Sequence, residues 1–199
     1  MNSPPLTAFV LAGGKSRRMG QDKALLQYQG HYLVEYPIRV LRQITQDVRI
    51  VGDSAKYSFL GLPVVPDSVE SKGPLSGIYS ALKISPSDYN LFLACDMPLM
   101  RAEFFSLLLA RIHGNDAIVM RFEDGTMEPL CSIYRSSCLA EIEVYFSSKK
   151  FKISDFFVFK CVPSLLHYSR PTYVARLLPN FSSSGRAASC ACRRSSTWC

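Results

Sequence analysis

The feature that most constrains this chain is a set of short, almost wholly apolar runs, each stopped by a turn-forming or acidic residue. Thr7-Ala8-Phe9-Val10-Leu11-Ala12 ends at Gly13-Gly14, and Val48–Val51 ends at Gly52-Asp53. Leu62–Val65 ends at Pro66-Asp67, and Asn90–Cys95 ends at Asp96-Met97-Pro98. Continuous apolar runs of this length describe strands buried on both faces. Between them the apolar spacing turns helical. His31–Ile44 carries Leu33, Val34, Val40, Leu41 and Ile44, with Pro37 tolerable near the first turn, and Leu75–Ile84 is entered through Gly73-Pro74. A helix over Arg101–Ile112, strands over Ala117–Phe122 and Leu130–Tyr134, and a helix over Ser137–Phe146 follow. Strands alternating with helices predict an α/β domain: three α/β/α layers with a mostly parallel sheet, followed by an irregular tail.

In such sheets ligands bind outside the carboxyl ends of the strands, as in other Rossmann-like folds. Three candidates fall at those ends: the Gly13-Gly14 loop, Asp67 and Asp96. The domain is expected over residues 1–160 and the tail over 161–199. From Phe181 onward the sequence is small, polar and aperiodic, the composition of a disordered segment.

Charge sharpens this division. The 199 residues carry 23 Lys+Arg and 16 Asp+Glu, a net charge of +7, which invites a nucleic-acid reading. Through Asp155, however, there are 17 basic and 16 acidic residues, a balance of +1. The remaining six basic residues (Lys160, Arg170, Arg176, Arg186, Arg193, Arg194) stand in a stretch without a single acid. The body is nearly neutral, so nucleic acid is not its expected partner. No run approaches ~20 apolar residues, so no membrane span is expected. Met1-Asn2-Ser3-Pro4-Pro5 lacks the features of a secretory signal, and a cytoplasmic protein is expected. Seven cysteines, odd in number and irregular in spacing, do not form a disulfide framework. Cys190-Ala191-Cys192 lacks a second pair or a nearby His and is a weak zinc signal.

The chemistry concentrates in Leu11-Ala12-Gly13-Gly14-Lys15-Ser16-Arg17-Arg18-Met19-Gly20-Gln21-Asp22-Lys23-Ala24. Its three glycines let backbone N–H groups approach an anion, as in phosphate-cradling loops. Four cations (Lys15, Arg17, Arg18, Lys23) fall within nine residues. A triphosphate uses both features, donors for close contact and cations for the charge that grows as pyrophosphate leaves. Neither a Walker A loop nor a G-x-G-x-x-G fingerprint is present. Asp96, directly after a buried apolar run, must be exposed, paired or ligating a metal. Magnesium takes only one or two protein carboxylates, so Asp96 is a candidate ligand, and capping of the following helix is the alternative. Asp67 has a weaker case as a ligand, and a turn or N-cap role suits it equally. His31, His113 and His167 lack positioned partners for a catalytic unit, and Cys95 reads as a small buried residue rather than a nucleophile. Lys149-Lys150-Phe151-Lys152 reads as a solvated surface or a contact for an anionic substrate. Glu128 reads as a loop carboxylate or a polar contact for a ligand.

The string from Leu11 to Ala24 resembles the signature L-A-G-G-x-S-x-R-M-G-x-D-K-A of the molybdenum cofactor guanylyltransferase family, within the nucleotide-diphospho-sugar-transferase-like fold. Val65-Pro66-Asp67-Ser68 with Gly73-Pro74-Leu75-Ser76-Gly77 is similar to that family's D-x…G-P-L-x-G segment. Cys95-Asp96-Met97-Pro98 is similar to its C-D-x-P metal turn, and Glu128–Arg135 to its P-L-x-x-x-Y strand. The resemblance runs over residues 7 to 155. It implies transfer of GMP from GTP to molybdenum-loaded molybdopterin, with Mg²⁺ on Asp96. Lys15, Arg17 and Lys23 would hold the triphosphate, and Leu11, Ala12, Gly13, Gly14, Asp67, Gly73, Pro74 and Leu75 would contact the nucleotide. It also implies transient contact with molybdenum-cofactor synthesis or acceptor proteins. The family's closing segment, F-x-N-x-N-T-P-E-D, has no counterpart after Asp155, and an altered reading frame there is one explanation. Two alternatives share the loop and Asp96: a cytidylyl- or sugar-phosphate nucleotidyltransferase, and a non-catalytic nucleotide or pterin binder.

Overall fold

The fold rests on strands whose alternate side chains enter two different cores. The computed structural model describes residues 5–13, 22–67, 73–122, 127–149, 151–153, 156 and 164–168. Strand β1 (Leu6–Leu11) sends Ala8 and Val10 to one side of the sheet and Phe9 and Leu11 to the other. Strand β6 (Tyr89–Ala94) repeats the division, with Leu91 and Leu93 on the first side and Phe92 on the second. Side chains of a strand alternate between faces, so a run that is apolar at every position requires a covering layer on each face. Helices α1 (Glu35–Leu41) and α4 (Ala102–Leu109) supply one layer through Ile38, Leu41, Phe104, Phe105 and Leu108. Helices α3 (Pro74–Ile84) and α5 (Cys138–Ser147) supply the other through Leu75, Ile78, Ala81 and Ile142. The expected α/β/α sandwich is what the chain forms.

The remaining strands are β4 (Val48–Val51), β5 (Val64–Val65), β7 (Ala117–Phe122), β8 (Met127–Arg135) and β9 (Ser164–Tyr168). The seven-stranded sheet has the order β5-β4-β1-β6-β8-β7-β9. The contiguous block β5-β4-β1-β6 is parallel, β8 runs antiparallel to both neighbours, and β9 returns parallel to β7. Because β1 connects outward to β4 on one side while β6 lies on its other side, the chain changes direction across the sheet beside β1. The carboxyl ends of all four parallel strands therefore share one edge, which carries Gly13, Gly52, Asp67 and Asp96. Aromatic packing ties the centre together. Phe9 stacks on Phe92 at 5.3 Å between ring centroids, and Phe92 meets Tyr134 edge-on at 5.4 Å.

Three differences from the sequence reading have physical causes. The helix expected over His31–Ile44 is shorter, because β2 (Gln27–Tyr28) and β3 (His31–Tyr32) form a hairpin before it. Its two central residues, Gln29 (φ 47°) and Gly30 (φ 81°), take the left-handed conformation that a tight hairpin turn requires. Strand β8 starts at Met127 rather than Leu130 because it bulges against β7. Val119 pairs with Ser132, but the next residue, Met120, pairs with Glu128. Pro129 cannot donate to the ladder, and its carbonyl accepts instead from Ser132 Oγ (2.7 Å) and the Tyr134 hydroxyl (3.0 Å). Finally, β9 lies inside the stretch read as an irregular tail. Residues from 169 onward, including the segment read as disordered, lie outside the described residues.

Candidate active site

The site assembles where the parallel strands end. After Leu11, the amides of Ala12 and Gly13 both bond the Val51 carbonyl (3.0 Å each), and the Cys95 amide bonds the Leu11 carbonyl (3.1 Å). The ends of β1, β4 and β6 are thereby held in one fixed relation. A cleft of about 430 Å³ opens over the β1, β4 and β5 ends, floored by Ala12, Gly13 and Gly52 and walled by Asp22, Asp53, Tyr57 and Asp67. Gly14, Lys15 and Arg17, all expected to hold phosphate, lie outside the described residues, as do Arg18, Ser68 and Lys150.

The chain is described again from Asp22. Its carboxylate accepts from the Ala24 amide (3.1 Å) and so caps the 3-10 turn Lys23–Leu25. From that turn Lys23 Nζ reaches across to Asp96 Oδ2 at 2.7 Å. Both side chains are about one-third exposed, so the pair is formed yet reachable from solvent. Sequence reasoning named each of these residues for the site; the structure brings them into contact. Asp96 follows β6 directly and does not cap α4, whose N-cap is Arg101. Oδ1 of Asp96 takes no hydrogen bond from a described residue. Among the described residues no cluster of three or more His, Cys, Asp or Glu could hold a metal. A single, partly exposed carboxylate is nonetheless a fitting donor set for a hard cation that completes its shell with phosphate oxygens and water.

Asp67 stands two residues after β5 and accepts from Ser76 Oγ (2.9 Å) and Ser80 Oγ (3.3 Å) of α3. It joins the cleft wall to the first turns of α3, where a negative charge is favoured by the helix dipole. Gly73 enters that helix at φ 111°, a conformation for which glycine is suited, and Pro74 occupies the first turn. The Leu75 side chain is fully buried and that of Leu11 nearly so, which leaves their backbones as what these positions can offer a ligand.

The sequence reading missed the far wall. Helix α2 (Ser54–Tyr57) is capped by Asp53, whose carboxylate accepts from the Ala55 amide at 3.0 Å. Lys56 Nζ donates to Asp22 Oδ2 at 3.0 Å, and that bond raises the lysine's pKa. Tyr57 is buried, and its hydroxyl stands 3.0 and 2.9 Å from the two Asp22 oxygens and 3.0 Å from the Ala12 carbonyl. Burial, with the hydrogen bond to Asp22 second, pushes this phenol far above its ordinary range. Burial likewise pushes the Cys95 thiol up to about 12, so it stays protonated and is no nucleophile at neutral pH. Glu128 is a buried strand residue rather than a loop carboxylate, and its Oε1 accepts from the Leu130 amide inside the bulge (3.2 Å). Lys149 and Lys152 are exposed.

Residues 8–156 match the MobA-like NTP transferase domain. The chain belongs to this family. A Carboxydothermus hydrogenoformans relative named "Probable molybdenum cofactor guanylyltransferase" is 39% identical over 152 residues, covering 76% of this chain and 77% of its own. A Syntrophotalea carbinolica relative named "Molybdenum cofactor guanylyltransferase" is 37% identical over 142 residues, covering 70% and 67%. Among solved structures, molybdopterin-guanine dinucleotide biosynthesis protein A from Archaeoglobus fulgidus superposes with a TM-score of 0.66 at 23% identity, over 86% of this chain and 85% of that one. The likeness in fold thus extends over most of the chain, and the matched family sequence stops at residue 156, one residue after the last acidic residue. No helix among the described residues is long and apolar enough to cross a membrane.

Proposed function

We propose that the protein is a molybdenum cofactor guanylyltransferase, which transfers GMP from GTP to molybdenum-loaded molybdopterin and releases pyrophosphate. The observation that carries this reading is the Lys23–Asp96 pair at the edge shared by β1 and β6, beside a cleft of nucleotide size, in a chain with this family's loop. A terminal phosphate oxygen of the pterin attacks the α-phosphorus of GTP in line, the bond from α-phosphorus to the bridging oxygen breaks, and pyrophosphate leaves. No covalent enzyme intermediate is needed, so the protein contributes positioning and charge. Lys23, with Lys15 and Arg17 of the loop, answers the triphosphate charge and the charge developing on the leaving group. The backbone of Leu11-Ala12-Gly13-Gly14 and of Gly73-Pro74-Leu75 contacts base and phosphates, and Asp67 holds the wall between them. Asp96 is assigned to bind Mg²⁺, which when bound supplies further neutralisation of phosphate charge. The domain is assigned to residues 1–160 and the protein to the cytoplasm. Partners are assigned by the same reading: GTP and the pterin as substrates, transient contact with cofactor synthesis or acceptor proteins, and neither nucleic acid nor membrane.

The test is direct. Purified protein with Mg²⁺ and molybdenum-loaded pterin should release pyrophosphate and form the guanine dinucleotide from GTP, and turn over CTP far more slowly. Equal turnover of CTP would reassign the nucleotide. No turnover of either would leave a binding protein.

A further inference from the structure

One buried hydroxyl joins two segments of the site that are far apart in sequence. The Tyr57 oxygen lies 3.0 Å from the carbonyl of Ala12, where β1 ends, and 2.9 and 3.0 Å from the Asp22 oxygens, where the chain enters the turn bearing Lys23. A phenol has one proton, and here it faces three acceptor oxygens. Its donation to the carboxylate is charge-assisted, the stronger kind of hydrogen bond. Asp22 in turn fixes the Ala24 amide, and the residue between them, Lys23, reaches Asp96. An independent feature shows that the ring's seat is built for it. A Cβ on Gly52 would stand 2.6 Å from Tyr57 Cε2 and 3.0 Å from Cδ2, closer than side-chain carbons approach. Glycine at the end of β4 is therefore what lets the buried ring lie against the backbone and aim its hydroxyl at Asp22.

We infer that Tyr57 is a positioning residue for Lys23: through Asp22 it sets where the Lys23 turn begins, and Gly52 keeps the room that this needs. Tyr57 lies one wall away from the Lys23–Asp96 pair and acts on it through Asp22. Its importance to turnover rests on the proposed function, whereas its control of Lys23 does not.

The experiment separates the two. Intact protein is pulse-labelled with acetic anhydride, and acylation of Lys23 is measured by mass spectrometry against Lys83, an exposed lysine on α3. Tyr57→Phe keeps the ring and deletes the hydroxyl. It should raise Lys23 labelling about fivefold, as release from a fixed pair implies, and leave Lys83 unchanged. Gly52→Ala keeps the hydroxyl but displaces the ring, and should move Lys23 labelling the same way. In turnover assays Tyr57→Phe should raise the KM for GTP more than it lowers kcat. Unchanged Lys23 labelling in Tyr57→Phe overturns the inference. So does a parallel rise at Lys83, which would mean general loosening. If wild-type protein does not use GTP, the proposed function fails, while the labelling still decides the role of Tyr57.

Discussion

At the amino-terminal end of the parallel strands, Asp47 is gripped by Arg49 through two bonds (2.8 and 3.0 Å) and by the Thr7 hydroxyl (2.9 Å). Asp88, at the same end, accepts from Arg135 (2.9 Å) and Ser136 (2.7 Å). At the opposite end Asp96 has Lys23 alone among the described residues. The same residue type thus serves two purposes at two ends of one sheet. Where the protein answers its own charges several times over, the carboxylate holds the fold together. Where a carboxylate has a single partner that is itself one-third exposed, both charges remain available to a ligand.

The sharpest way to break this contrast is to neutralise Asp96. Asp96→Asn keeps the shape and removes the charge; turnover should fall about 10²-fold or more, the usual effect of losing a transition-state electrostatic partner. Stability should change by less than about 1 kcal/mol, because the pair it leaves is partly solvated. Parallel assays of pyrophosphate release and urea unfolding check both halves, and a large stability loss with intact turnover would reverse the assignment. Lys23→Ala comes next. It should cost about 10²-fold in kcat/KM, with stability again nearly unchanged.

How much of this contrast could be read from the sequence depended on whether a signal was local. Asp96 and Asp67 stand immediately after apolar runs, so their placement at strand ends was legible, and Lys23 was legible through the loop's string. The link from Tyr57 to Asp22 was not: Tyr57 lies 35 positions beyond Asp22, and nothing near it marks a hydroxyl that turns back to the end of β1. Gly52 reads as a simple strand terminator until the Tyr57 ring is seen against it. The hairpin before α1 escaped because two-residue strands carry no periodicity. Strand β9 escaped because its pairing with β7 is non-local and its surroundings lack the composition of the body.

The amino-terminal end can be tested with acid. The Arg49 bond, followed by that of Thr7, holds the Asp47 carboxyl below its ordinary range against the opposing cost of burial, and Ser136 with Arg135 does the same for Asp88. A carboxyl whose pKa is lower in the folded than in the unfolded chain contributes stability that is complete above the unfolded value of about 4 and is lost as pH falls through the folded value. Urea unfolding as a function of pH should therefore show stability declining below about pH 4. Asp47→Asn should flatten that decline and cost about 1 kcal/mol at neutral pH, after allowance for its partial exposure. An unaltered acid limb in Asp47→Asn would remove Asp47 from this account.

The smallest expected effect is the most discriminating control. Arg135 belongs to the saturated end, yet its side chain is 44% exposed, its partner Asp88 is 42% exposed, and its guanidinium lies 5.8 Å from the centre of the Tyr89 ring. Exposed pairs contribute about 0–1 kcal/mol, since solvent and salt weaken the attraction and ordering two long side chains offsets part of it. Asp88 also keeps Ser136 when the arginine is gone. Arg135→Ala should therefore barely move the urea unfolding midpoint and leave turnover at the wild-type level. The effect should shrink further in high salt, which screens exposed charges most. A loss of turnover comparable to that of Asp96→Asn would mean that the two ends of the sheet are coupled, and the division between a stabilising end and a reactive end would have to be abandoned.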